Sequence, residues 1–227
     1  AVANTDYFNA VAGGAAAALA ALDADVLVTL ETRPEWRFRG SPLIRRYRTI
    51  VNRGLWVATG NWLWTSAPAL AGDKIEHGPD TPAQVWARLD LGDGATLDVL
   101  GLHFRRPLTE PQREQVAGLL AALPEGVGRP LVVVGDFNAA PWSAAVGRVA
   151  EDLGVETVGG LRLTWTSRLA EGLGPLGALL SLPIDHVMVS EGIGVRAVRT
   201  APIPGSDHRA VVARIAVPLR PDAPSRR

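Results

Sequence analysis

The sequence predicts an α/β layered domain whose apolar strands carry polar, chemistry-bearing residues at their ends. Two observations predict it. Short aliphatic runs alternate with stretches of helical periodicity, the pattern of sheets covered by helices. The aliphatic runs also end, repeatedly, in acidic, amide or imidazole side chains. The 227 residues are enough for one large domain with a substantial core. No internal repeat or convincing linker divides them. Residues 1–219 are therefore expected to form one domain, and the Pro- and Arg-rich residues 220–227 a flexible tail.

Taken in order, residues 8–22 read as an Ala-rich helix weakened by Gly13-Gly14. Residues 25–31 follow as a buried strand that ends in the carboxylate of Glu31. Residues 33–53 hold seven arginines (Arg33, Arg37, Arg39, Arg45, Arg46, Arg48 and Arg53) with Trp36, Phe38 and Tyr47, against the single acid Glu35. Such a segment can grip phosphates and stack on bases, with Arg45 and Arg46 as candidate contacts, or it can be a solvated loop with snorkelling stems. Residues 56–64 suggest an aromatic strand pair and residues 67–82 a Gly- and Pro-rich loop. Residues 84–91 and 95–104 form a hairpin across Gly92-Asp93-Gly94, and the second strand runs to His103. A helix opens at Thr109, where Gln112 completes a capping box and Val116, Leu119, Leu120 and Leu123 lie at helical spacing.

The run Leu131 to Val134 reads as a strand buried on both faces, and it passes straight into Gly135-Asp136-Phe137-Asn138. Asp136 and Asn138 project together if strand geometry persists, with Phe137 opposite. A lone strand-end Asp is more often an Asx turn than a catalytic group, so this stretch gains weight only from others like it. Val146, Val149, Ala150 and Leu153 give a further helix closed by Gly154. Residues 154–182 are loop-like and carry the isolated pair Thr164-Trp165. Two last strands, 184–189 and 210–217, flank Pro204-Gly205-Ser206-Asp207-His208.

Composition narrows the chemistry. A hydrophobic fraction of 47% and a charged fraction of 20% describe an ordinary folded protein. Formal charge is zero, with 23 basic and 23 acidic residues, which argues against a protein that holds long duplex mainly by phosphate neutralisation. Lys74 is the only lysine. Cysteine is absent, so disulfides, thiolate metal sites and thiol nucleophiles are excluded. No apolar run approaches the roughly 20 residues of a membrane helix.

The strand-end series comprises Glu31, His103, Asp136 with Asn138, Asp185, and Asp207 with His208. It suggests strand ends converging on one site, with hard oxygen donors suited to Mg²⁺ or Mn²⁺. Neither a Gly-x-Ser-x-Gly nor a Gly-Lys-Ser/Thr motif is present. The ordered set of Glu31, Gly135-Asp136-Phe137-Asn138, Ile184-Asp185-His186 and Ser206-Asp207-His208 resembles the endonuclease/exonuclease/phosphatase superfamily, with a DNase-I-like fold. Ala139-Ala140-Pro141-Trp142-Ser143 after Asn138, the Thr164-Trp165 pair and the run 184–190 particularly resemble its bacterial branch. The likeness runs from Asn4 to about Val217.

This resemblance implies a four-layer α/β/β/α sandwich of two packed mixed sheets flanked by helices. It implies a divalent-metal-dependent hydrolase of phosphoester bonds, a phosphodiesterase, nuclease or phosphatase, acting by direct water attack. By the same resemblance Glu31 is the principal Mg²⁺ (or Mn²⁺) ligand, Asp207 completes the acidic cluster, and Asn4 contacts metal or phosphate. Asp136 orients or deprotonates the water, and Asn138 holds that water or a phosphate oxygen. His208 contacts the scissile phosphate while Asp185 orients it, and His103 contacts phosphate or aids the leaving group. Trp165 is expected to pack, with a place at the cleft mouth as the functional alternative, and His186 to be structural. The substrate is a phosphoester of nucleic acid, a small molecule or a lipid, and no protein partner is evident. The bacterial likeness raises an upstream membrane anchor, with an extracytoplasmic location, as an expectation. Competing readings are a catalytically silent phosphate-binding module of the same fold and a lipid-headgroup phosphodiesterase at a membrane surface.

Overall fold

The computed structural model describes residues 1–37, 40–51, 60–78, 82–107, 112–167, 170, 176 and 180–218. Its first half holds β1 (Val2–Asn4), α1 (Ala12–Ala20), β2 (Val26–Thr32), a 3₁₀ turn (Pro34–Arg37), α2 (Pro42–Arg46), β3 (Thr49–Val51), β4 (Gly60–Thr65), β5 (Ala69–Ile75), β6 (Gln84–Gly92) and β7 (Ala95–His103). The second half holds α3 (Gln112–Ala122), β8 (Leu131–Asp136), α4 (Ala144–Leu153), β9 (Val155–Thr157), β10 (Trp165–Thr166), β11 (Ser181–Leu182), β12 (Asp185–Ser190), β13 (Gly194–Pro202) and β14 (Arg209–Ala216). Two six-stranded mixed sheets result, ordered β13-β14-β1-β2-β4-β3 and β5-β6-β7-β8-β12-β9, with β10 and β11 as a separate ribbon.

Strand alternation distributes the core over three interfaces. In β8, Leu131 and Val133 turn outward to Val116 and Leu119 of α3 and to Val146 and Val149 of α4. Val132 and Val134 turn inward and meet Val28, Leu63 and Val211 of the opposite sheet. Beyond that sheet, Leu27, Trp62 and Trp64 pack under α1 and α2 with Leu19 and Leu43. The layers are therefore α/β/β/α, as expected. Burying both faces of β8 explains why its sequence is a continuous aliphatic run.

Local chemistry sets the helix ends. Ser143 caps α4 by accepting the Val146 N–H at 3.3 Å, and Gly154 closes it at φ 52 in the left-handed region. Helix α1 starts later than its composition suggests. Asn9 accepts the Val11 N–H at 2.9 Å and donates to Thr5 O and Pro204 O, which holds the preceding residues in turns. The Thr109 cap expected for α3 lies outside the described residues, as do residues 219–227.

Four strands stand where loops were expected, β5 within 67–82 and β9, β10 and β11 within 154–182, and β13 fills the stretch between the last two expected strands. All five lie at sheet edges. Between the sheets, on the side of Asp25 and Asp90, a cleft of about 950 Å³ is lined by Val26, Val28, Val132, Val134, Ala213 and Ile215. Among the described residues no helix is long and apolar enough to cross a membrane.

Candidate active site

Register alone brings three of the polar strand ends together. In the parallel pair β7–β8, His103 lies opposite Asp136, and in the antiparallel pair β8–β12, Asp136 lies opposite Asp185. Asp136 follows the inward-facing Val132 and Val134 by steps of two, so its carboxylate enters the space between the sheets. Gly135 makes this approach possible. A Cβ there would sit 2.1 Å from Leu102 O, closer than any side chain can be accommodated.

The opposite sheet supplies the rest. Asn4 ends β1 beside Leu30 of β2, and its Nδ2 donates to Glu31 Oε1 at 3.1 Å and to Asp136 Oδ2 at 3.0 Å. One carboxamide thus joins the acids of the two sheets. Its Oδ1 accepts the Asp6 N–H at 3.1 Å. Glu31 Oε2 accepts the Tyr7 N–H at 3.3 Å, and His103 Nε2 lies 3.5 Å from Glu31 Oε1. Glu31 itself adopts φ 53, and the β2–β4 register shifts between Thr29 and Thr32. The irregularity turns its side chain toward the site, at the cost of a conformation that a Glu rarely occupies. Like Asp6 at φ 54, Asn138 shares this left-handed backbone, at φ 46. Its N–H donates to Asp136 Oδ1 at 2.8 Å and its side-chain amide to Phe104 O at 2.8 Å.

His208 arrives on the turn ahead of β14. Its Nδ1–H donates to Asp185 Oδ2 at 2.9 Å, while Nε2 lies 3.8 Å from Asp136 Oδ2 and 3.9 Å from Asp207 Oδ1. Burial works against the imidazolium, but Asp185, Asp136 and Asp207 outweigh it and raise the pKa to about 10. Burial, and then the charge of Asp185, push Asp136 up to about 6, against the pull of the histidines. Glu31 moves the other way. Burial opposes its charge, yet His103, the Asn4 amide, the Tyr7 N–H and His208 together hold it below the usual carboxylate value. The site therefore pairs a cationic imidazole with one poised and one firmly ionised carboxylate.

A model of the endonuclease/exonuclease/phosphatase family matches residues 1–208. The chain belongs to this family. Hydrolysis of phosphoester bonds is the activity its name covers. Solved structures agree in fold. An endonuclease/exonuclease/phosphatase from Bacteroides vulgatus is 17% identical with a TM-score of 0.73, over 96% of this chain and 97% of that one. A 3′ phosphatase, NExo, from Neisseria, bound to a product DNA hairpin, is 19% identical with a TM-score of 0.69, over 95% and 98%. The 3′-5′ exonuclease NExo from Neisseria meningitidis is 21% identical with a TM-score of 0.68, over 94% and 97%. No curated protein matches the sequence significantly.

Within this family fold, the expected residues Asn4, Glu31, His103, Asp136, Asn138, Asp185, Asp207 and His208 form one connected group. Trp165 joins it by donating its indole N–H to Asp207 Oδ2 at 2.9 Å, and it bridges His208 through the backbone. Arg46 does not. Its guanidinium pairs with Asp23 at 2.9 Å and lies over the Tyr47 ring, whose hydroxyl donates to Ala24 O. Asp23 and Ala24 precede β2, whereas Glu31 lies near its other end, so Arg46 stands apart from this group. Arg45 is exposed on the same short helix. His186 faces away, with Nε2 bonded to Ala139 O at 2.8 Å and its ring against Phe137.

Three supporting residues had no role assigned from the sequence, although Thr164 and Ser206 stood within its motifs. Thr164 Oγ1 accepts the N–H groups of Ile184 and Asp185. Ser206 Oγ donates to Asn4 O and accepts the His208 N–H. Gln84 accepts the His103 N–H and donates to the His103 carbonyl at 3.0 Å. Each ties backbone rather than meeting substrate, and hydroxyls and amides of that kind are too common in sequence to stand out.

Proposed function

We propose that this chain hydrolyses phosphoester bonds of nucleic acid by direct attack of water, with a divalent cation bound beside Glu31. One observation carries the reading. The cationic Nε2–H of His208 faces Asp136 and Asp207 at 3.8 and 3.9 Å, beyond hydrogen-bonding range of either. It is thus held in a charged row and left to donate to an anionic oxygen. Asp136, ionised at neutral pH with a pKa of about 6, accepts the proton of the attacking water. Asp185 keeps His208 in its charged form and fixed orientation. Asn138 steadies the Asp136 carboxylate through its N–H.

The donors suit a hard cation. Glu31 is ionised and its side chain is 31% exposed, and Asp207 adds a second carboxylate. These two would hold the ion. Asn4, with its nitrogen on both acids and its oxygen on the Asp6 N–H, positions Glu31 instead. Donor atoms of Asp136, Asp185 and His208 also lie within 4.8 Å of one another. That trio suits an ion less well, because a protonated imidazole bonded to Asp185 has no lone pair to offer. When bound, the ion supplies neutralisation of charge on the phosphate oxygens.

Two exposed rings close in sequence to site residues support a nucleic-acid substrate. Phe8 and Trp142 are 79% and 76% exposed, one beside Tyr7 and the other on the loop after Asn138. Exposed rings at a phosphoester site are stacking platforms for unpaired bases, and a neighbour of the same fold holds a DNA hairpin. The test is hydrolysis of bis-p-nitrophenyl phosphate and of a single-stranded oligonucleotide, with Mg²⁺ or Mn²⁺, with EDTA, and with His208→Ala. Activity abolished by EDTA and lowered about 10³-fold by the substitution is expected. Equal signal from both proteins would sink the hydrolase reading. Cleavage of sphingomyelin or inositol phosphates in preference to the oligonucleotide would overturn the substrate.

A further inference from the structure

One oxygen of Asp185 is accounted for by His208; the other, Oδ1, is buried without a hydrogen-bond partner. The Nε of Arg162, on the loop ahead of Thr164, is buried and unpartnered as well. Both residues line the same small cavity of about 10 Å³, walled by Pro141, Thr157, Gly160 and Pro183. A carboxylate oxygen lacking a donor and a guanidinium N–H lacking an acceptor are each costly to bury. Finding complementary orphans on one cavity is therefore informative.

The geometry points to a single buried water that accepts from Arg162 Nε–H and donates to Asp185 Oδ1, which makes Arg162 a positioning residue of the active site. Size and charge both select water. About one probe sphere of space holds one water and nothing larger. A cation would meet the guanidinium and an anion the carboxylate, whereas water serves both with the correct donor and acceptor roles. The consequence reaches the reacting end. Fixing Oδ1 sets the plane of the Asp185 carboxylate, and that plane sets the imidazole whose Nε2 faces Asp136. Thr164, two residues on, holds the Asp185 N–H at 3.0 Å, so one short loop fixes this residue by its backbone and by its side chain. The sequence offered no signal for Arg162, one arginine in a Gly- and Leu-rich loop.

The effect on turnover rests on the hydrolase reading above; the water itself does not. A crystal structure of the unaltered protein at about 1.5 Å should show an ordered water within hydrogen-bonding distance of both atoms. A dry cavity, or an Arg162 side chain turned to solvent, overturns the inference. On the oligonucleotide, Arg162→Met should lower kcat about tenfold with KM within about twofold, as for groups that orient a reacting side chain. In an Asp185→Asn background the same substitution should cost less than about twofold, because the two act as one unit. An equal factor in both backgrounds overturns it. If the unaltered protein hydrolyses no phosphoester, the functional reading falls and the crystallographic water alone decides.

Discussion

Strands β7, β8 and β12 place His103, Asp136 and Asp185 in one row by register, with no departure from ordinary pairing. The opposite sheet delivers Asn4, Glu31 and His208 differently. Glu31 needs a left-handed backbone and a shifted register, and His208 needs a turn tied by Ser206 and bridged by Trp165. One half of the site is thus set by register alone, and the other by an irregular strand end at Glu31 and a tethered turn at His208. A row set by register resists local change, because moving one member means moving a strand. A residue held by turns can be tuned singly, and it is also easier to lose.

The largest expected effect tests the row itself. Asp136 carries a pKa raised to about 6 by burial and by Asp185, and His208 one raised to about 10. A base is useful when deprotonated, so activity should fall as pH drops through the Asp136 value. His208 stays charged throughout that limb. The profile of kcat/KM should therefore drop about tenfold per pH unit below about 6 and hold a plateau above it. A flat profile from pH about 4 to 7 would show that Asp136 is not the base.

Next comes the backbone under that row. Gly135→Ala puts a methyl 2.1 Å from Leu102 O, and backbone cannot yield as a side-chain tip can. The two strands must part, at a cost of about 3 kcal/mol in a denaturant titration. Activity should fall with it, since His103 and Asp136 are partners across the same pair. Stability within about 0.5 kcal/mol of the parent would mean that the register is not what holds these residues.

The complementary change in the other sheet has the opposite sign. Glu31 at φ 53 bears a conformational strain of about 1 kcal/mol that glycine does not. Glu31→Gly should raise the unfolding free energy by about 0.5–1 kcal/mol while hydrolysis is lost, the mark of strain kept for function. If stability drops by more than about 1 kcal/mol, the bonds from Asn4 and the Tyr7 N–H outweigh the strain, and this irregular half is sturdier than its backbone suggests.

The same contrast explains what the sequence disclosed. Strands buried on both faces, such as β8 and β12, write themselves as aliphatic runs, and their polar ends stand out against them. Edge strands do not. β5 reads Ala-Leu-Ala-Gly-Asp-Lys-Ile and is mostly exposed, and β13 alternates Val and Arg with small residues in the open. Neither has an apolar run to announce it, so β5 passed for a loop and β13 went unassigned. At the site, residue types were legible wherever a carboxylate or imidazole ended a strand. The αL backbone of Glu31 and the tethers Thr164, Ser206 and Gln84 were not, because hydroxyls and amides take meaning only from what they face. The arginine-rich segment stayed ambiguous for a related reason: composition shows that a guanidinium is present, not which end of a strand it lies against.

Arg46 makes the smallest expected effect and tests the boundary of the site. It lies with Asp23 and Ala24 ahead of β2, and six residues of strand separate that point from Glu31, roughly 20 Å at the usual rise. Its partner Asp23 has an 87% exposed side chain, so the ion pair is worth about 1 kcal/mol at most. Contact with the Tyr47 ring at 5.4 Å adds a similar fraction. Arg46→Ala should therefore lower stability by less than about 1 kcal/mol and leave kcat and KM on a short single-stranded oligonucleotide within about twofold. A tenfold rise in KM on that substrate would require the bound strand to run the length of β2, and the mouth of the site would then have to be drawn along the sheet instead of at the strand ends. A rise confined to long polymers would leave the site where Asp136 and His208 place it, and would make α2 a remote grip on the chain being cut.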